Sequence, residues 1–337
     1  MADKVDLINS IRKLYQKGAL HIILGTFASK FVAFFGSIFV VRLLSKTDYG
    51  ILGYAENIYS YVFIVAAFGL SYAVLRYVVL ADDIQKKKGY YDFIIKHSVL
   101  RNIFLSLVLV IITRFISFSK EYSDVKRLVL ILAALLPFQD LVNDILYSFR
   151  AFFKNKLYAY ASFLLSIVLI IGRILGALIA GIDGVLWSRL IINAVFSIVG
   201  VIYVYKRLFG DNKEVKLNVP EIREVNAYSF QYMLTNGLWA VFMLNDTFIL
   251  GQMINDPTIM ADYKVASVLP GNISLFSMAI GVFIGPYFTK NEKNQDWVKR
   301  YFPLAFIISA IIVGLCAALI ALLAKPLILF MYGDSYV

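Results

Sequence analysis

The chain has 337 residues, of which 60% are hydrophobic and only 16% charged, with 27 Phe and 22 Tyr. That much apolar surface cannot be hidden in one soluble core of this length, so a cytosolic domain is excluded and a membrane protein is indicated. The formal net charge of +11 raises nucleic-acid binding, but the cations sit in short loops between apolar runs rather than on a basic domain, so no nucleic acid is expected as a partner.

Residues 1–19 place Val5, Leu7, Ile8, Ile11, Leu14 and Tyr15 at helical spacing with Lys4, Arg12, Lys13 and Lys17 on the other face. This is the pattern of an amphipathic helix lying in the interface, and no small-residue cleavage site follows it, so the first span is expected to be retained. Nine apolar runs come next, at 20–41, 54–79, 93–113, 128–149, 157–180, 185–205, 228–250, 265–288 and 301–324. Each is close to the roughly 20 residues a crossing needs. They are continuously apolar rather than alternating, which makes them helices and not barrel strands. The expected fold class is all-α, a polytopic membrane protein of about nine transmembrane helices.

Of the 33 Lys and Arg, 21 fall in the amino-terminal segment and the even-numbered loops. This bias places the amino terminus in the cytoplasm, and with nine spans Val337 outside. The organisation expected is an interfacial helix at 1–19, six spans at 20–205, a cytoplasmic linker at 206–227 and three spans at 228–337. Asp48-Tyr49 after the first span and Asp262-Tyr263 after the seventh suggest a parallel repeat of the two parts.

Ionisable residues inside spans cost on the order of 3 kcal/mol each at mid-bilayer and mark function by default. In span four, Asp140, Asn143, Asp144 and Tyr147 share one helical stripe that should face a polar cavity or a partner charge. Lys30 in span one, Arg173 in span five and Asp246 in span seven are flanked by apolar residues. Arg189 lies nearer a helix end, where snorkelling accounts for it. The bland reading is pairing alone, with Lys30, Arg173 and Arg189 balancing Asp140, Asp144 and Asp246. Gly172, Gly176 and Ala180 form a small-residue ridge for close helix contact. Pro270, Gly271, Gly281, Gly285 and Pro286 interrupt span eight and suit a bend.

There is no Gly-rich Lys-Ser/Thr phosphate loop, so ATP hydrolysis by this chain is not expected. His21, His97 and Cys316 do not cluster with acids at ligand spacing, and no catalytic residue, metal or cofactor is expected.

The stretch from Gly25 through Lys30 and Phe31 to Arg42, Leu43, Leu44, Ser45, Lys46, Thr47, Asp48, Tyr49 and Gly50 resembles the first helix and outer loop of Wzx-type oligosaccharide flippases. These belong to the multidrug/oligosaccharidyl-lipid/polysaccharide exporter superfamily. The similarity continues at Ala73 to Tyr77, at Tyr147 to Tyr160, and from Lys325 and Pro326 to Tyr336. It implies a fold like that of the multidrug branch, two six-helix lobes around a cavity, of which this chain would carry a six-helix first lobe and an incomplete second lobe. It further implies a non-enzymatic carrier in the cell membrane that moves undecaprenyl-pyrophosphate-linked oligosaccharide units for O-antigen, capsule or exopolysaccharide assembly. A polysaccharide polymerase or a chain-length regulator would be its protein partner. Read against that task, Lys30 and Arg173 would neutralise the diphosphate and Arg76 and Arg150 would form the mouth. Asp140, Asp144 and Asp246, with Asn143 beside them, would bind a coupling proton or sodium ion or hold the cations in place. The alternatives are a cation-coupled multidrug exporter and a non-transporting component of an export complex. A membrane polymerase would want a large outer loop, which the sequence lacks.

Overall fold

The computed structural model describes residues 19–268, 270–271 and 294–336. The amphipathic helix expected at 1–19 and most of span eight, with Gly281, Gly285 and Pro286, lie outside the described residues. Two compact units divide at Pro257.

The first unit is a bundle of long helices. Helix α1 (Ala19–Leu43) is followed after two residues by α2 (Lys46–Ile64). The expected outer loop is therefore mostly helix, because Ser45 caps α2 by accepting the Asp48 N–H at 3.0 Å. Span two was expected to be one helix and is not. It breaks at Ala66–Gly69, and Ala67 (φ 47°), Phe68 (φ 51°) and Gly69 (φ 78°) are all left-handed. The two non-glycines each cost roughly 1–2 kcal/mol in that conformation. The chain resumes as α3 (Leu70–Ala73), which runs into a π-turn at Val74–Val78. Helix α4 (Ile84–Phe115) starts nine residues before the apolar run because Asp83 caps it, accepting the Lys86 N–H at 2.6 Å. Helix α5 (Val125–Ala151) is the most enclosed, with Leu128, Leu132, Leu136 and Ile145 completely buried.

Helix α6 (Asn155–Val204) is a hairpin of two arms rather than a rod. Gly181 (φ 56°, ψ −134°) reverses the chain in a conformation open to glycine alone. Below the turn, Gly176 and Gly184 meet backbone to backbone, and Gly172 faces Ser188 and Ile192. The ridge read at Gly172 and Gly176 is thus the seam between spans five and six, while Ala180 belongs to the turn. A further π-turn, Tyr205–Phe209, leads to α7 (Val219–Met253), whose start is a capping box made by Asn218 and Glu221. Among the described residues, seven helical stretches are long and apolar enough to cross a membrane, the α6 hairpin being one of them; the count of nine is not reproduced there.

One end of this unit gathers basic residues. Lys86 pairs with Glu221 at 2.6 Å, Lys88 donates to the Asn212 carbonyl at 2.7 Å, and the Val215 N–H donates to the Gln85 carbonyl at 3.2 Å. At the opposite end Arg127 pairs with Asp183 at 2.7 Å, and the Tyr54 ring lies 5.1 Å from that of Tyr122.

Helix α8 (257–268), all but its first residue in the second unit, precedes α9 (Gln295–Tyr332), which carries Pro303 and Pro326. Most of the large apolar side chains of α9 are exposed, Leu322 and Phe330 among them, as suits a lipid-facing helix.

Candidate functional site

Three groups of polar residues lie inside the first unit. The stripe on α5 is the first. Asp140 and Asp144 are buried; Asp140 accepts from the Ser71 hydroxyl of α3 at 2.9 Å and from the Asn102 amide of α4 at 2.7 Å. Asn143 and Tyr147, on the same stripe, open on a cavity of about 210 Å³ that Asp140, Ser71, Tyr72 and Asn236 also line. Three of the four stripe residues, Asp140, Asn143 and Tyr147, thus face one cavity, and Asp144 is not among those lining it. No lysine, arginine or histidine is within ion-pair distance of Asp140 or Asp144 among the described residues.

The second group gathers around Glu56 of α2, a carboxylate left out of the charge balance drawn from the sequence. Arg189 reaches it at 3.2 Å and Arg173 at 3.7 Å, both from α6. Arg189 also donates to Gln139 at 2.7 Å and stands over the Tyr59 ring at 5.7 Å. It is therefore turned inward and does not snorkel. The buried Nε of Arg173 has no hydrogen-bond partner. The balance drawn from the sequence is corrected for three of its six members: Arg173 and Arg189 use Glu56, and Asp140 uses the neutral donors Ser71 and Asn102. Glu56 was legible as a carboxylate eleven residues into a helix begun at Lys46, and Asn102 as an amide in an apolar run.

The third group lines a vestibule of about 550 Å³ at the basic end, between the π-turn and α7. The π-turn presents Arg76 to it, with the guanidinium 4.7 Å from the Tyr228 ring centre and 5.8 Å from that of Tyr77. Tyr77 in turn donates from its hydroxyl to Glu224 at 3.2 Å. Tyr228, Tyr232, Gln231 and Asn236 complete the walls, and Tyr232 packs on Tyr72 with ring centres 4.2 Å apart. Asn236 and Tyr72 carry the polar lining on to the α5 cavity.

The remaining sequence candidates are dispersed. Arg150 ends α5 with its guanidinium 5.5 Å from the Tyr158 ring centre. Lys30 is exposed on α1 and Asp246 is exposed on α7, next to Asn245, which accepts from the Tyr61 hydroxyl at 2.7 Å. Among the described residues no group of three or more His, Cys, Asp or Glu is placed to hold a metal ion.

Long apolar helices around buried acids, arginines and a polar cavity define a polytopic α-helical membrane protein. The family model described as "polysaccharide biosynthesis protein" matches residues 39–337, and the chain belongs to that family. Among solved structures it is similar to a multidrug/oligosaccharidyl-lipid/polysaccharide superfamily transporter from Pyrococcus furiosus, at 16% identity over 87% of this chain and 73% of that one, with a TM-score of 0.47. It is also similar to a multidrug and toxin extrusion protein in complex with MaL6, at 14% identity over 89% of this chain and 76% of that one, with a TM-score of 0.46. No curated protein matches it.

Proposed function

We propose that this protein is a transporter that carries undecaprenyl-pyrophosphate-linked oligosaccharide across the cell membrane for surface polysaccharide synthesis, with its amino terminus in the cytoplasm. The observation that carries this reading is the vestibule at the basic end. An arginine held between tyrosine rings, with amide side chains around it, offers a phosphate its charge and a pyranose its flat apolar faces and hydroxyl partners. Arg76 and Arg150 stand at the mouth. Arg173, deeper in the bundle with an unpartnered Nε, and Lys30 on α1 receive the diphosphate as it advances. Asp140, Asp144 and Asp246, with Asn143, take the ion that resets the carrier. Residues 20–205 form the first lobe, 228–337 part of the second, and 206–227 the link between them.

A second reading, export of organic cations, is favoured by one feature: the α5 cavity is lined by Asp140 and by the rings of Tyr72 and Tyr147, which suit a cation. The two are separated by the leaflet distribution of lipid-linked sugar in cells lacking the gene. Accumulation on the cytoplasmic side, relieved by adding this chain back, supports the sugar carrier. An unchanged pool together with heightened sensitivity to cationic drugs supports the exporter.

A further inference from the structure

Six tyrosine rings follow one another from the basic end into the α5 cavity. Tyr90 of α4 stacks on Tyr77 of the π-turn with ring centres 5.4 Å apart, and Tyr77 meets Tyr228 of α7 at 5.8 Å. Tyr228 and Tyr232 are 6.1 Å apart on α7, Tyr232 lies 4.2 Å from Tyr72 of α3, and Tyr72 lies 5.9 Å from Tyr147 of α5. Tyr77, Tyr228 and Tyr232 line the vestibule, and Tyr72 and Tyr147 line the cavity. A pyranose has apolar C–H faces and a polar edge, so successive rings with polar groups beside them suit a chain of sugars.

The polar groups beside this row have their donors turned inward. Thr235 donates its hydroxyl to the Gln231 carbonyl at 2.9 Å, and the Asn236 amide nitrogen donates to the Tyr232 carbonyl at 3.0 Å. A carbonyl can only accept, so the Thr235 proton is committed and the Asn236 oxygen is the end directed away from the helix backbone. Ser71 likewise donates to Asp140 at 2.9 Å. Glu224 receives the Tyr77 hydroxyl at 3.2 Å on one oxygen and keeps its remaining lone pairs. These positions therefore offer a ligand oxygen acceptors, which take O–H and N–H groups and repel another acceptor.

Charge runs the same way. Among the described residues that line the vestibule and the cavity, Arg76 is the cation, and Glu224 and Asp140 are the carboxyls. No carboxylate is within ion-pair distance of Arg76 among the described residues. Its planar fork is open to the diphosphate. Lys86, one turn outward at Glu221, is engaged by that residue at 2.6 Å.

Resting on the carrier role assigned to this vestibule, we propose that the site selects lipid-linked sugars that are uncharged and carry hydroxyl or acetamido N–H donors, and that Glu224 turns away sugars bearing a carboxylate. A neutral sugar stacks on Tyr228 and Tyr232 and donates to Glu224, Thr235 and Asn236. A uronic acid in the same place brings its carboxylate against Glu224 while Arg76 holds the diphosphate. That like-charge contact is a repulsive element against the wrong substrate, and it acts in a site partly shielded from water.

The test uses the full chain in lipid nanodiscs, titrated with short-chain polyprenyl diphosphates that carry N-acetylglucosamine, glucose, glucuronic acid or no sugar, and followed by intrinsic fluorescence. The two neutral sugars should bind about tenfold more tightly than glucuronic acid. Glu224→Gln should close most of that gap by tightening the acidic ligand, and Asn236→Asp, which adds a carboxylate to the same wall, should widen it. Tyr232→Leu should weaken the sugar-bearing ligands and leave the sugar-free diphosphate unchanged. Equal binding of neutral and acidic sugars, or a gap that neither Glu224→Gln nor Asn236→Asp moves, overturns the selectivity and leaves the carrier reading standing. Binding of none of the four ligands overturns both.

Discussion

Gly176 and Gly184 face each other across the α6 hairpin so closely that a Cβ on either would run into the other's backbone carbonyl. The seam has no flexible side chain to yield, so Gly176→Leu must push the arms apart. We expect a loss on the order of 1–3 kcal/mol, seen as a lower apparent melting temperature in detergent. Gly314 on α9 has open space around it, and Gly314→Leu should leave the melting temperature unchanged.

Glu56 holds two arginines. Removing its charge leaves both half-enclosed guanidiniums facing each other, so Glu56→Gln should destabilise by about 1–3 kcal/mol, discounted from the fully buried case for their partial exposure. Adding Arg173→Gln should restore part of the loss, because one like-charge contact disappears. Additive losses in this double-mutant cycle would show that the three residues do not act as a unit.

The stretch 210–218 is bound to the start of α4 through Val215 and Asn212, and Gly89 is the surface on which the Val215 carbonyl rests. Gly89→Val should lift it. Trypsin cleavage after Lys213 and Lys216 should then be faster than in the unsubstituted protein, with the rest of the digestion pattern preserved. Equal rates would mean that this stretch is not held by α4.

Arg76 meets Tyr228 and Tyr77 as a flat cation over aromatic faces, a contact worth about 1 kcal/mol. Arg76→Lys keeps the charge but loses the planar fork, so it should weaken substrate binding about fivefold. Arg76→Ala should weaken it further, and Tyr228→Leu should resemble Arg76→Lys. Titration with a short-chain diphosphate-linked sugar, followed by intrinsic fluorescence, measures all three.

Much of this architecture is legible in the sequence because lipid imposes length and continuity on each crossing. The gap between the runs at 157–180 and 185–205 marks the turn at Gly181, and Asn218 with Glu221 spells the cap that opens α7. The break at Ala67–Gly69 is not legible: Ala-Ala-Phe-Gly reads as more helix, and the left-handed turn depends on Asn102, 35 positions away. Asp140, Asn143, Asp144 and Tyr147 could be grouped because one helix carries them. The arginine group could not be assembled in that way, since Glu56, Gln139, Arg173 and Arg189 come from three helices and meet only on packing. Charge counting pairs whatever is present, whereas the bundle gives Asp140 a hydroxyl and an amide and gives Glu56 the cations.

Transport itself is measured most directly with the purified chain in proteoliposomes loaded with a fluorescent undecaprenyl-pyrophosphate-linked oligosaccharide, following the fraction of label that an impermeant quencher reaches with time. The expected result is movement between leaflets well above that in protein-free vesicles and reduced by Arg76→Ala. Movement equal to that in protein-free vesicles, in a preparation that binds the same lipid, would contradict the assignment.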